Sequence, residues 1–272
     1  MNNSYVPRVI DELLDEYSLY FPTIALEGPK GVGKTETARQ RATSELQLDM
    51  PATVEMLTAS PELILEAEPV LLIDEWQRYL PSWDLVRRAV DNGAAPGTFL
   101  LTGSAFPPQG AAIHSGAGRI DTIRMRPFGA QERGLAPSTV TLSELFDETQ
   151  PPVSATEVAV SVQDYAAEIC RSGLPGIRNL PERARRVRLD TYLERLATHE
   201  FPENGLNVRN PGSVLRWLTA YARATAQTTS YTEILDLATP GEADKPSRST
   251  ADKYRTLLEQ LMILEPLPRV DS

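Results

Sequence analysis

The amino-acid sequence predicts an α/β protein, a parallel sheet with helices on both faces followed by a mainly helical second half. Three observations lead there. Val70 to Ile73 and Phe99 to Thr102 are unbroken apolar runs bounded by polar residues, the pattern of strands buried on both faces. Helix-forming segments alternate with strand candidates, and that alternation builds a layered sheet. A glycine-rich turn joins the first strand to the first of these helices.

In chain order, Thr23 to Glu27 is a short apolar strand after Pro22, and Thr35 to Leu46 is the helix beyond the glycine-rich turn. Ala52 to Thr58 alternates Val54, Met56 and Thr58 and is expected to be a strand. Ser60-Pro61-Glu62 supplies an N-cap and a first-turn proline for a helix reaching Glu66, and Pro69 opens the next strand. Trp83 to Val90 is a helix between the two apolar runs, and Ile120 to Met125 is a further strand ended by Arg126-Pro127. A core of residues 1–135 is therefore expected, then a helical lid over 136–227 and a helix-turn-helix-like segment over 228–272. The last contains amphipathic helices at Thr232 to Ala238 and Ser249 to Leu264, separated by a Pro/Gly-rich connector.

Charge is distributed unevenly over the 272 residues, whose formal net charge is −10. Residues 141 to 170 hold six acids and neither Lys nor Arg, whereas 171 to 216 hold nine arginines against five acids. The acidic total argues against a nucleic-acid binder held by bulk charge, while leaving room for a local basic face. The single cysteine, Cys170, cannot form an internal disulfide and lacks the paired spacing of a zinc site. The amino end carries Asp11, Glu12, Asp15 and Glu16 where a signal peptide would be basic and then apolar, and no apolar run reaches the roughly 20 residues of a membrane span. A cytoplasmic protein without a membrane partner is expected.

Gly28-Pro29-Lys30-Gly31-Val32-Gly33-Lys34-Thr35 fits G-x-x-x-x-G-K-[ST] and sits between a strand and a helix, as phosphate binding requires. Glycines let backbone N–H groups turn inward around phosphate oxygens, and the helix amino terminus adds its positive end. Lys34 reaches toward the β and γ phosphates, and the Thr35 hydroxyl suits Mg²⁺, a hard cation that prefers oxygen ligands. The expected nucleotide-binding set is Gly28 through Glu36 together with Asp74. Asp74 and Glu75 follow a buried strand forty residues after Lys34, at the sheet edge where such folds bind ligands. Asp74, with Thr35, is expected to hold magnesium, and Glu75 to polarise the attacking water.

Two further positions carry expectations. Thr102, Gly103 and Ser104 end the next buried strand, where a hydroxyl can contact water or the γ-phosphate, and a simple strand terminus is the alternative. Arg119 follows the His114 to Gly118 turn. It can act as an arginine finger on a neighbouring subunit's nucleotide, which would imply a homo-oligomer, or form a surface salt bridge.

With these residues in place, the chain resembles the AAA-type P-loop ATPases that carry the DUF4143 region, a prokaryotic group close to the archaeal ATPases. The carrying segments are Tyr5 to Arg8, Leu26 to Thr35, Leu72 to Gln77, Trp83 to Val90, Phe99 to Ala105 and His114 to Pro127. Gly173-Leu174-Pro175 looks like the family's later Gly-x-Pro turn, and Ser249 to Leu264 like its helix-turn-helix piece. The resemblance implies an AAA/ASCE-type sheet, ATP at the P-loop, magnesium at Thr35 and Asp74, a water-activating Glu75 and a sensor role for Ser104. Family members continue into a nuclease-like domain, so an end at Ser272 implies a chain lacking that portion. Arg178, Arg183, Arg185 and Arg186 all compete for the role of lid arginine.

An Mg-dependent ATP hydrolase that drives a conformational switch is the leading expectation. A nucleotide-gated DNA-binding module with little hydrolysis is the alternative, motivated by the arginine-rich stretch and the terminal helices. It is opposed by the eight acids against five cations in residues 228 to 272. A small-molecule kinase has less use for Glu75 beside Asp74.

Overall fold

The structure is a computed structural model and describes residues 5–103, 116–135, 145–146, 160–208, 210–238 and 247–266. Its first part is built on five parallel strands: β1 (Thr23–Glu27), β2 (Ser44–Gln47), β3 (Leu71–Asp74), β4 (Phe99–Thr102) and β5 (Asp121–Arg124), in the order β2-β3-β4-β1-β5. Successive strand residues point to opposite faces, and the core divides accordingly. Ala25, Leu71, Ile73, Phe99 and Leu101 pack on one face with Leu57 of α3 (Pro51–Ala59), Ile64 of α4 (Leu63–Glu66) and Val86 of α5 (Pro81–Asp91). Ile24, Leu26, Leu72, Leu100 and Ile123 pack on the other with Leu14 of α1 (Ile10–Tyr17) and Ala38 of α2 (Lys34–Arg39). The sheet with helices on both faces is thus as the sequence predicts.

Two elements differ from expectation. Ala52 to Thr58 is helical, not extended: Pro51 occupies the first helical position, where its fixed φ and missing N–H suit a helix, and Leu57 supplies the buried contact. The helix expected from Thr35 to Leu46 stops at Arg39, and Ser44–Gln47 forms the edge strand β2, pairing from Ser44↔Leu71 to Gln47↔Asp74. Its residues are only half-buried, so no apolar run announces it; the partner strand decides its conformation.

The second part is helical: α6 (Val162–Arg171), α7 (Pro175–Arg178), α8 (Glu182–Arg195), a π-helical turn at Leu196–Glu200, α9 (Phe201–Glu203), α10 (Pro211–Arg223), α11 (Tyr231–Ala238) and α12 (Arg248–Gln260). Ser161 begins α6 with a reciprocal capping box to Asp164, and Ser247 caps α12 through the Thr250 N–H. Phe201, Val214, Trp217, Leu235, Tyr254 and Leu258 form one apolar core, which runs across the expected boundary at 227/228. The apolar side of α12 is consumed by this packing.

A smaller cluster joins the two parts: Val32 and Met125 meet Leu174 and Ile177. Arg126 Nε also donates to Glu265 Oε2 at 2.9 Å. Among the described residues no helix is long and apolar enough to cross a membrane.

Candidate nucleotide site

The strand order places the site. β4 lies between β1 and β3, with Thr102 in register with Leu26 on one side and Asp74 on the other. The loop after β1 therefore rises beside the carboxyl ends of β3 and β4. Gly28 opens it where the chain presses on β5: a Cβ there would lie 2.4 Å from the Met125 carbonyl oxygen. Gly33 then caps α2, and Val32 is buried in the joining cluster.

Lys34 is 7% exposed, and its Nζ donates to the carbonyls of Gly28 at 2.8 Å and Pro29 at 3.2 Å. Burial lowers its pKa, while Glu75 and Asp74 work in the opposite direction. Glu27, at the end of β1, has its carboxyl pKa raised by burial, partly offset by Arg124 and Lys34. Thr35 Oγ1 donates to Asp74 Oδ1 at 2.8 Å, and Thr102 Oγ1 donates to the same oxygen. The Thr102 hydroxyl is thereby engaged with Asp74.

Glu75 lines a cavity of about 440 Å³ together with Lys30, Gly31, Gly33, Lys34, Thr35 and Glu36. Glu36 is otherwise paired with Arg39 at 2.7 Å on the surface of α2. The rest of the lining includes residues not expected at the site: Tyr5, Arg8, Phe128, Pro175, Gly176 and Asn179. Arg8 is buried, donating to the carbonyls of Val32 at 2.8 Å and Arg126 at 2.7 Å and to Glu132 Oε1 at 2.9 Å, with its guanidinium 4.4 Å from the Phe128 ring centroid. The Tyr5 hydroxyl donates to Asp11 Oδ1 at 2.8 Å. Tyr5 and Arg8 belong to a segment that carries the family resemblance, and Pro175 to another. Their place at the cavity was not legible because 118 positions separate Arg8 from Arg126.

The remaining expected residues lie elsewhere. Arg119 precedes β5 at the amino edge of the parallel sheet, opposite the phosphate loop, and its Nε donates to Asp91 Oδ1 at 2.9 Å. Ser104 and His114 lie outside the described residues. Of the competing lid arginines, Arg178 pairs with the buried Glu168 at 3.1 Å, Arg185 donates to the Leu180 carbonyl at 3.2 Å and Arg186 faces Glu182 at 3.7 Å. Arg183 lies on the outer face of α8. None of these four is among the residues lining the cavity.

A phosphate-type loop following β1 in a parallel sheet of order 2-3-4-1-5, beside the carboxylate that ends the strand two places away, is the fold of a Walker-type P-loop ATPase. Comparison with known proteins gives the particulars. Residues 20–133 match the AAA domain family (AAA_14), and residues 162–272 match a domain of unknown function, DUF8612, in place of the DUF4143 region. The chain aligns over 96% of its length with 91% of a Walker-type ATPase of Pyrococcus abyssi, at a TM-score of 0.52 and 16% identity. It is 31% identical over 118 residues to uncharacterized proteins of Mycobacterium tuberculosis and Mycobacterium bovis. That match spans 42% of this chain and about a quarter, 27%, of each relative.

Proposed function

We propose that the protein binds and hydrolyses ATP, and that the nucleotide state sets how the sheet domain and the helical part engage each other. The observation that carries this reading is the bond from Thr35 to Asp74 beside a cavity that Lys34, Thr35 and Glu75 line. The loop amides and Lys34 receive the β and γ phosphates. The part of the cavity lined by Phe128, Pro175 and Asn179 holds the base and ribose.

Magnesium fits the donor set. Thr35 and Asp74 present hard oxygen atoms 2.8 Å apart, and no group of three His, Cys, Asp or Glu able to hold a metal exists among the described residues. Two protein oxygens suit a cation that takes its other ligands from phosphate and water. When bound, the ion would neutralise charge developing on the transferred phosphoryl group. Glu75 accepts the proton of the attacking water, and Lys34 steadies the phosphate oxygens, so positioning and charge stabilisation carry the rate.

Phosphate release from MgATP by wild-type and Glu75→Gln protein tests the reading, after both are shown to bind nucleotide. Glu75→Gln should keep ATP bound and slow turnover by about a hundredfold or more. Normal turnover in that variant would remove Glu75 from the mechanism. If Arg119 acts across a subunit boundary, Arg119→Ala protein should bind ATP normally, hydrolyse slowly and regain activity when mixed with Lys34→Ala protein. Absence of self-association would remove that role.

A second reading, nucleotide-gated DNA binding, has one observation in its favour. Arg183, Arg188 and Arg195 share one exposed, concave face of α8 and have no carboxylate partner among the described residues. A DNA shift assay at rising salt decides it: phosphate-backbone contacts weaken steeply with salt, and triple replacement of these arginines should abolish the shift.

A further inference from the structure

We propose that Gln77 is a positioning residue for Glu75, holding its carboxylate in the orientation used for water activation; this rests on the reading of Glu75 given above. β3 ends at Asp74, and the backbone turns at Glu75 in the left-handed region, φ +55° and ψ 44°. A non-glycine residue adopts that region at a cost and keeps it only where its surroundings fix it. The next residue supplies that restraint: Trp76 is 6% exposed, and its ring stacks on Trp83 with centroids 4.4 Å apart. A single 3₁₀ turn, Trp76–Arg78, closed by the Arg78 N–H on the Glu75 carbonyl at 2.9 Å, then folds Gln77 back. Gln77 Nε2 donates to Glu75 Oε2 at 2.5 Å.

The other side of that amide is fixed as well. Gln77 Oε1 abuts Gly103 so closely that a Cβ at 103 would lie 2.1 Å from it and 3.0 Å from the Trp76 ring. Gly103 directly follows Thr102, whose hydroxyl holds Asp74. The two adjacent carboxylates are thus held separately, Asp74 by the hydroxyls of Thr35 and Thr102, Glu75 by the Gln77 amide wedged against the end of β4. An unrestrained glutamate samples several rotamers, whereas a base must stand within hydrogen-bond reach of one water. Gln77 selects the rotamer without itself meeting nucleotide: it is not among the residues lining the cavity.

The test uses full-length Gln77→Glu, which keeps the side chain's shape but replaces the donor with a like charge, and Gln77→Met, which keeps its length. Both should lower kcat for MgATP by roughly tenfold to a hundredfold, as expected for a misplaced catalytic group, with KM and equilibrium ATP binding within twofold of wild type. In a Glu75→Gln background, Gln77→Glu should slow turnover no further, because both changes remove the same step. Without nucleotide, the Gln77 side-chain amide signal should move toward its solvent-exposed position in Glu75→Ala protein. Should either Gln77 variant fail to fold, Gly103→Ala displaces the same amide from outside and should reproduce the fall in kcat. Wild-type turnover in Gln77→Glu or Gly103→Ala protein, alongside an inactive Glu75→Gln, would overturn the positioning role alone. Wild-type turnover in Glu75→Gln would overturn both readings together.

Discussion

The ammonium of Lys30 stands 2.5 Å from a carboxylate oxygen of Glu200, joining the tip of the phosphate-type loop to the π-helical turn that follows α8. The same loop residue accepts a second bond from the helical part: the Tyr192 hydroxyl donates to the Lys30 carbonyl at 3.2 Å. Burial, with the charge of Glu200 beside it, pushes the Tyr192 pKa up to about 12. Tyr192 stays a donor throughout the neutral range. Any rearrangement of this loop is therefore felt directly by α8.

Tyr192→Phe should lower stability by about 1 kcal/mol, the usual worth of one internal hydrogen bond. Glu200→Gln should cost no more than about 1 kcal/mol, because Lys30 is 42% exposed and its ion pair is screened. Chemical denaturation measures both. A larger loss for Glu200→Gln than for Tyr192→Phe would show that the ion pair, not the neutral bond, fastens the loop.

Lys34 should be a residue that ligand binding needs and the ligand-free fold does not. Burial depresses its pKa, so its charged form is held less comfortably in the folded chain than in the unfolded one. Lys34→Met should abolish most ATP affinity while leaving the melting temperature without nucleotide unchanged or higher. Calorimetry with and without ATP checks both halves, and a drop in the ligand-free Tm would contradict the second.

Acid should loosen the amino-terminal segment through Glu132. Burial raises the pKa of this carboxyl, but bonds from Arg8 and from the Val9 and Gly129 N–H groups outweigh it and hold the pKa below its ordinary value of 4.5. A depressed carboxyl pKa gives stability that is present above the unfolded value and is lost as pH falls through the folded one. The stability of wild-type protein should decline below about pH 4.5, and Glu132→Gln should decline less steeply over that window while being weaker at pH 7. Parallel pH profiles for the two proteins would exclude this contribution.

The helical part should unfold readily when its central ring is removed. Trp217 is 0% exposed, packs against Tyr221 with centroids 5.0 Å apart and contacts residues from α11 and α12. Trp217→Ala should cost about 3–5 kcal/mol through lost burial and the cavity left behind. Among the described residues its indole N–H has no hydrogen-bond partner, so Trp217→Phe should cost far less. Urea denaturation of the two variants measures the contrast.

Much of the site was legible as local pattern. Gly28 to Thr35 joins β1 to α2 and Asp74 ends β3, positions that local pattern predicts: a small residue where the loop presses on Met125, hydroxyl and carboxylate where strands end at the sheet edge. Arg119 shows the limit of such reading. Its position in sequence was compatible with two roles, and in the fold its guanidinium meets Asp91 at the sheet edge away from the loop.

The parallel sheet and the loop between β1 and α2 follow from local pattern, because apolar runs and glycine spacing act over a few residues. Long-range packing was needed to make Ser44–Gln47 a strand, to bring Tyr5, Arg8 and Pro175 to the cavity and to set Lys30 against Glu200. Each depends on groups distant in sequence meeting across the fold, where pairing and burial outweigh the local preference of the residues concerned.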